Sequence, residues 1–297
     1  TLFLTREGYH FETHGDNQHW SQSLHNKLLI LDVDIRLGTD PGALPNETSL
    51  KNETMGRTAG MTNHYLYIVI HGYDYRFIRA PGYPYRHEAW TKVPMIREAL
   101  KDHEIVVFLN ADAIFMYPQM PFEWIMKLWN VTNNTLIFMT NDLDPPRNRH
   151  VDDQVTQNSG FLIARQSNGT QGLLNDWENC HIDRESKKCK PSATDSADER
   201  AALSSYVWYN YSSTGGLHAM LFMDGNGGPG IGGKACGGDF IRNHWLHEGY
   251  PAKGLSDLVM KLGMPTIDCL AISYYVSRQP LASLFNVCHP YNIYTAL

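Results

Sequence analysis

The apolar positions along the chain fall into alternating runs of strand and helix character. Residues 105–109, IVVFL, carry five apolar residues in a row, as in a strand buried on both faces. Residues 27–35, KLLILDVDI, read as a second buried strand. Between them, 49–71 is helix-compatible and runs into HGYDY, where Gly72 is a plausible stop. DYRFIR at 74–79 alternates as a short strand does, and PGYPY at 81–85 is a loop. Over 88–103, Trp90, Val93, Ile96, Ala99 and Leu100 share one helical face, with Pro94 close to the first turn.

The alternation continues. Helices are predicted over 121–129, 170–178 (capped near Thr170) and 196–209, and strands over 136–140 and 159–164. Strand following helix in this order predicts an α/β fold with a mostly parallel sheet flanked by helices. The character changes at 215–238, which holds ten glycines and reads as a loop-rich wrap over the site. No internal repeat and no clean linker interrupts the chain, which favours a single domain over 1–297.

The strand at 105–109 ends on Asn110-Ala111-Asp112. A buried carboxylate is costly unless it is paired or holds a metal. Open α/β sheets bind their ligands at the carboxyl ends of their strands, where this turn is expected to lie. Oxygen ligands on a short turn suit Mg²⁺ or Mn²⁺ bridging a diphosphate, with the phosphates completing the shell. A lone Asx-x-Asp is a short motif, and an Asp capping the next turn is its ordinary explanation. A metal site needs a second ligand from elsewhere. CGGDFIRNHWLHEG at 236–249 offers His244 and His247 after glycines that let the backbone approach a ligand.

Composition narrows the classes. The chain is 42% hydrophobic and 19% charged, as an ordinary globular protein is. A net charge of −6 without a Lys/Arg cluster argues against nucleic acid as the main partner. The sixteen tyrosines and seven tryptophans fit sugar binding and ordinary cores equally well. No run is long and apolar enough to span a membrane, and the start at Thr1 instead of Met leaves open that a signal or anchor has been removed. Six glycosylation sequons, at Asn46, Asn52, Asn130, Asn133, Asn168 and Asn210, point to a secretory lumen. In that setting Cys180 and Cys189 suit a loop-closing disulfide and Cys269 with Cys288 a second, leaving Cys236 over.

HGYDYRFI, WTKVPMIREAL, VVFLNADAIF, PFEWIM, NSGFLIA, LLNDWENC and CGGDFIRNHW occur in the order seen in fungal nucleotide-diphospho-sugar transferases. Over about 64–250 the chain resembles the galactosyl/mannosyl transferases of glycosyltransferase family 34. The resemblance implies a GT-A fold, a Rossmann-like sheet with one metal-dependent sugar-nucleotide site, and a retaining transferase of the Golgi lumen with an N-terminal membrane anchor. It implies a nucleotide-binding half over 27–165 and an acceptor-binding half with the C-terminal wrap over 166–297. By position, Asp112 and His244 are the Mn²⁺ ligands. Asn110 takes the first place of the D-x-D, next to Ala111, and Lys92 neutralises phosphate charge. Asn158 lies near sugar or acceptor. The family's Asp-Gln pair falls on Asp198 and Glu199, where Asp198 is the residue expected to act. The donor is UDP-galactose or GDP-mannose and the acceptor a glycan.

Asn110 departs from the family pattern by removing one negative charge. A subgroup that uses Asn, an engineered replacement of Asp, and a transferase scaffold that only binds sugars or sugar nucleotides all fit that departure. The glycine-rich GNGGPGIGGKACGG is not followed by a clear helix, so it is not a dinucleotide fingerprint. A phosphate-ester hydrolase ranks last, because the sequence offers no compact cluster of further metal ligands.

Overall fold

The computed structural model describes residues 2–4, 10–13, 20–34, 55–80, 87–142, 156–180, 198–220, 226–227 and 238–244. Two short strands, β1 (Leu2–Leu4) and β2 (His10–Glu12), form an antiparallel ribbon. Next come β3 (Leu28–Asp34), α1 (Met55–His71), β4 (Asp74–Arg79), α2 (Lys92–Ala99), β5 (Ile105–Leu109) and β6 (Ala113–Phe115). They are followed by α3 (Phe122–Leu128), β7 (Ile137–Asn141), β8 (Gln157–Arg165), α4 (Asn168–Asn179), α5 (Asp198–Ala202) and α6 (Trp208–Ser212). The last strands described are β9 (Leu217–Met220), β10 (Asn226–Gly227) and β11 (Ile241–Asn243).

Six strands make the main sheet in the order β4-β3-β5-β8-β7-β9. β3 runs parallel to both β4 and β5, and β7 runs parallel to β9. β8 is antiparallel to both of its neighbours, so one strand runs against the other five. The sheet is mostly parallel, as expected, with β8 the exception. Alternate residues of the central strands face opposite layers, as strand geometry demands. Ile30, Val107, Leu109, Phe161 and Ile163 pack with Tyr67 of α1 and Phe122 and Ile125 of α3. Leu29, Leu31, Val106, Phe108 and Leu162 pack with Val93 and Ile96 of α2 and Leu173 and Trp177 of α4. Each such fully buried side chain stabilises the fold by roughly 1.5–3 kcal/mol.

Several boundaries move for local reasons. Gly72 ends α1 with φ of 72°, a conformation that costs glycine nothing. α2 stops at Ala99, short of 103, and His103 Nδ1 donates to the Ala99 carbonyl at 3.1 Å. α4 begins at Asn168, because Ser167 and not Thr170 is the cap: the Ser167 hydroxyl accepts from Thr170 N at 3.0 Å. The helix expected over 196–209 is α5 and α6 joined by a wider turn over Leu203–Val207, in which Trp208 N donates to Leu203 O.

The 215–238 stretch is not loop alone. Leu217–Met220 add β9 to the main sheet, and Asn226–Gly227 pair with β11. Gly216 makes this approach possible: a Cβ there would meet Leu136 Cγ at 2.6 Å and Asn134 O at 2.8 Å. No helix among the described residues is long and apolar enough to cross a membrane. Asn46, Asn52, Cys189, Cys236, His247, Cys269 and Cys288 lie outside the described residues.

Candidate active site

The turn after β5 is held from three sides. Asn110 N donates to Gly160 O on β8, and Ala113 N donates back to Asn110 O, both at 2.9 Å. α1 lies against the other side. A Cβ on Gly60 would stand 1.9 Å from Ala111 O, so only glycine lets the helix backbone come this close. One turn further on, Asn63 clamps β6: its Nδ2 donates to Phe115 O at 3.1 Å, and its Oδ1 accepts from Phe115 N at 2.7 Å. Beside it, His64 Nε2 lies 2.9 Å from Ala113 O, and Nδ1 lies 2.9 Å from the Asp32 carboxylate. Both ring nitrogens face acceptors, and both side chains are wholly buried. The Tyr75 hydroxyl donates to the same carboxylate. Burial first, then the Asp32 charge, raises the Tyr75 phenol well above its ordinary value and keeps it a donor.

His244 reaches this turn through β11. Its strand pairs antiparallel with β6, Asn243 opposite Ala113, and His244 N donates to Asp112 O at 3.0 Å. The two residues named as metal ligands are thus backbone partners, each about 8% exposed. Among the described residues no group of three or more His, Cys, Asp or Glu side chains is placed to hold a metal. A carboxylate oxygen and an imidazole nitrogen are two ligands of the right kind, and such a pair leaves positions for diphosphate oxygens.

β8 is irregular at this point. Met139 pairs with Leu162, but Thr140 pairs with Asn158, so the ladder between β7 and β8 shifts there. Bulges of this sort re-aim side chains beside functional sites. Asn158 turns inward: its Oδ1 accepts from Gly160 N at 2.9 Å and its Nδ2 donates to Asp142 Oδ1 at 3.3 Å. Arg200 donates to the other Asp142 oxygen. Three amides converge above Gly160. A Cβ there would lie 2.4 Å from Asn243 Nδ2 and 3.0 Å from both Asn110 Nδ2 and Asn158 Oδ1.

Lys92 is buried behind this cluster. Its ammonium donates to Ser159 Oγ and to Glu199 Oε1, each at 3.0 Å, and lies 5.3 Å from the Phe108 ring centre. Ser159 Oγ donates to the same Glu199 oxygen at 2.6 Å. Burial alone would raise the Glu199 carboxyl. The Lys92 ammonium, the Ser159 hydroxyl and the Arg200 guanidinium outweigh it and hold the group below its ordinary value. The Lys92 charge therefore has a carboxylate partner within the protein.

Asp198 opens α5, and its side chain lies outside the described residues. Of the remaining residues read from sequence, Asn110, Ala111, Asp112, Asn158 and His244 meet around one turn, with Lys92 one layer behind. Glu199 was named with Asp198 in that reading but passed over, and Asn243 escaped it, because it sits beside a histidine that drew attention away from it.

Comparison with known proteins follows the same direction. The family model described as the galactosyl transferase GMA12/MNN10 family matches residues 45–215, more than half of the chain. β11, which ends at Asn243, and His244 after it lie beyond that match. A glycosyltransferase involved in glycosylation of the major capsid of PBCV-1 is similar in structure, with TM-score 0.55 and 12% identity. It covers 77% of this chain and 98% of its own. The galactosyltransferase LgtC, solved in complex with donor and acceptor sugar analogs, aligns with TM-score 0.42 and 11% identity over 82% of this chain and 99% of its own. Comparison with curated proteins finds no match.

Proposed function

The chain belongs to the galactosyl transferase GMA12/MNN10 family, a glycosyltransferase using a nucleotide sugar, and on that premise we propose how its site works. It transfers a hexose, galactose or mannose, from UDP-galactose or GDP-mannose to a hydroxyl of a glycan, with retention of configuration. The observation that carries this reading is the backbone pairing of Asp112 with His244 at the carboxyl edge of the sheet. It joins a carboxylate and an imidazole from distant parts of the chain where a nucleotide sugar would bind.

Asp112 and His244 would hold Mn²⁺, or Mg²⁺ in its place. When bound, the ion neutralises charge on the departing diphosphate. The protein's own part is preorganisation. Gly60, Asn63 and His64 fix the turn that carries Asp112, and β6 fixes the strand that carries His244. Asn110 meets the donor with a neutral amide, and Asn158, bonded to Gly160 and Asp142, lies close to the sugar. Lys92 acts at one remove, setting Ser159 and Glu199. Asp32 is engaged by His64 and Tyr75, Asp142 by Arg200, and Glu199 by Lys92, so these carboxylates are already held within the protein. That supports a reaction in which the leaving diphosphate accepts the acceptor's proton on the face it departs from.

A secretory-lumen location, the Golgi with an N-terminal anchor, is part of the same reading. The sequon asparagines among the described residues, Asn130, Asn133, Asn168 and Asn210, are all exposed, and Cys180 is disulfide-bonded. A second reading is favoured by one observation, Asn110 in place of the usual acid: a scaffold that binds sugar nucleotides without turning them over. Purified protein incubated with UDP-galactose or GDP-mannose, Mn²⁺ and a glycan panel separates the two. Release of nucleoside diphosphate coupled to glycan extension, abolished by Asp112→Ala, is expected. Binding without any release would install the scaffold reading instead.

A further inference from the structure

We propose that Asn243 is a donor-recognition residue, whose amide, together with that of Asn110, hydrogen-bonds hydroxyl groups of the nucleotide sugar. The proposal rests on the donor-site reading above and goes beyond it by naming a residue and a ligand chemistry. Asn243 comes from β11, one residue before His244, and stands across the ladder from Ala113. It is 1% exposed, and its Oδ1 is buried with no hydrogen-bond partner among the described residues. A buried amide left this way destabilises the fold, so folding alone gives no reason for it.

Its position supplies a reason. The Asn243 and Asn110 amides both approach the point where a Cβ on Gly160 would stand, and Gly160 lacks the atom that would push them away. Asn110 is half-buried and directly follows β5, at the start of the turn that carries Asp112. A ligand that reaches Asp112 and His244 therefore passes the Asn110 amide, with Asn243 behind it. The chemistry of the missing partner follows from the group itself. Phosphate oxygens only accept, and offer nothing to a carbonyl oxygen. A hydroxyl both donates and accepts, and so suits an amide whichever end meets it. Ribose and hexose both bring vicinal hydroxyls, and the experiment tells them apart.

Wild type and Asn243→Leu, as full chains with Mn²⁺, are titrated calorimetrically with UDP, UDP-galactose, 2′,3′-dideoxy-UDP and the corresponding guanosine compounds. Thermal melts run in parallel. Asn243→Ala repeats the series without added bulk, in case leucine disturbs folding. The expected result is a melting temperature at or above that of wild type, with a loss of about tenfold in affinity. A loss seen with UDP but not with its dideoxy analogue assigns the ribose hydroxyls. A loss confined to the sugar-bearing compound assigns the hexose. Unchanged affinity for every ligand that wild type binds overturns the assignment and leaves the donor site standing. A lowered melting temperature with equal losses for all ligands, dideoxy-UDP included, makes Asn243 structural and also overturns it. If wild type binds none of the compounds, the donor site fails as well.

Discussion

Two buried glutamates, each the second residue of a short helix, do opposite things with their oxygens. Glu123 of α3 closes its hydrogen bonding completely. Oε1 accepts from Leu24 N at 2.6 Å and from Ser23 Oγ at 3.4 Å, and Oε2 accepts from the Tyr73 hydroxyl. It ties α3 to the chain just ahead of β3 and β4. Glu199 of α5 uses only Oε1, for Lys92 and Ser159, and its Oε2 is buried without a partner among the described residues. Thr140 Oγ1 and Asn243 Oδ1, near the same carboxyl edge, are in the same condition. Glu123 is satisfied within the fold it helps to build, whereas the open groups clustered at the carboxyl edge are candidates for meeting something else.

The comparison is broken most forcefully at Lys92. Lys92→Met leaves the Glu199 charge buried without its ammonium partner, and should destabilise the protein by about 3–5 kcal/mol in urea titrations. Adding Glu199→Leu should return most of that stability without returning transferase activity. A double variant that regains activity would make the pair structural, like Glu123. Acid titration sharpens the same point. The folded Glu199 carboxyl is depressed below its ordinary 4.5, so its contribution is present above that pH and lost as pH falls through the lower folded value. The stability curve of Glu199→Gln should be flatter than wild type below that pH.

On the satisfied side, Tyr73→Phe removes a donor from a charged acceptor. It should cost roughly 1.5–3 kcal/mol with little change in the KM for donor. Gly60→Ala should invert the usual rule for helices. Alanine ordinarily stabilises a helix interior, but here its Cβ meets the Ala111 carbonyl of the site turn at 1.9 Å. A loss of about 1–3 kcal/mol is expected, with weaker Mn²⁺ dependence of activity. The smallest effect belongs to the exposed Lys27–Glu104 pair, where Lys27→Ala should change stability by less than about 1 kcal/mol.

How much of this was legible in the sequence depended on the kind of signal. β3, β5 and the buried face of α2 could be read because continuous apolar runs and helical spacing record burial directly. The direction of β8 could not, since periodicity says which residues are buried and nothing about which way a strand runs. β9 and β11 were hidden by brevity: three or four residues among glycines carry too little pattern. Asp112 and His244 were found by chemistry and resemblance, and their contact is made by a strand pairing that neither motif announces. Glu199 and Asn243 matter through partners and orphaned atoms, which exist only in three dimensions. The preference for Asp198 rested on the family resemblance, which matched a pair of positions and did not separate it from the glutamate beside it.

The most direct test is to titrate UDP and GDP, each with and without Mn²⁺, into wild type, Asp112→Ala and His244→Ala. A site built by the pairing of these two residues should bind one nucleotide more tightly with Mn²⁺, and either substitution should remove that enhancement. The same enhancement in both variants, or none in wild type, would contradict a metal-assisted donor site at this edge of the sheet.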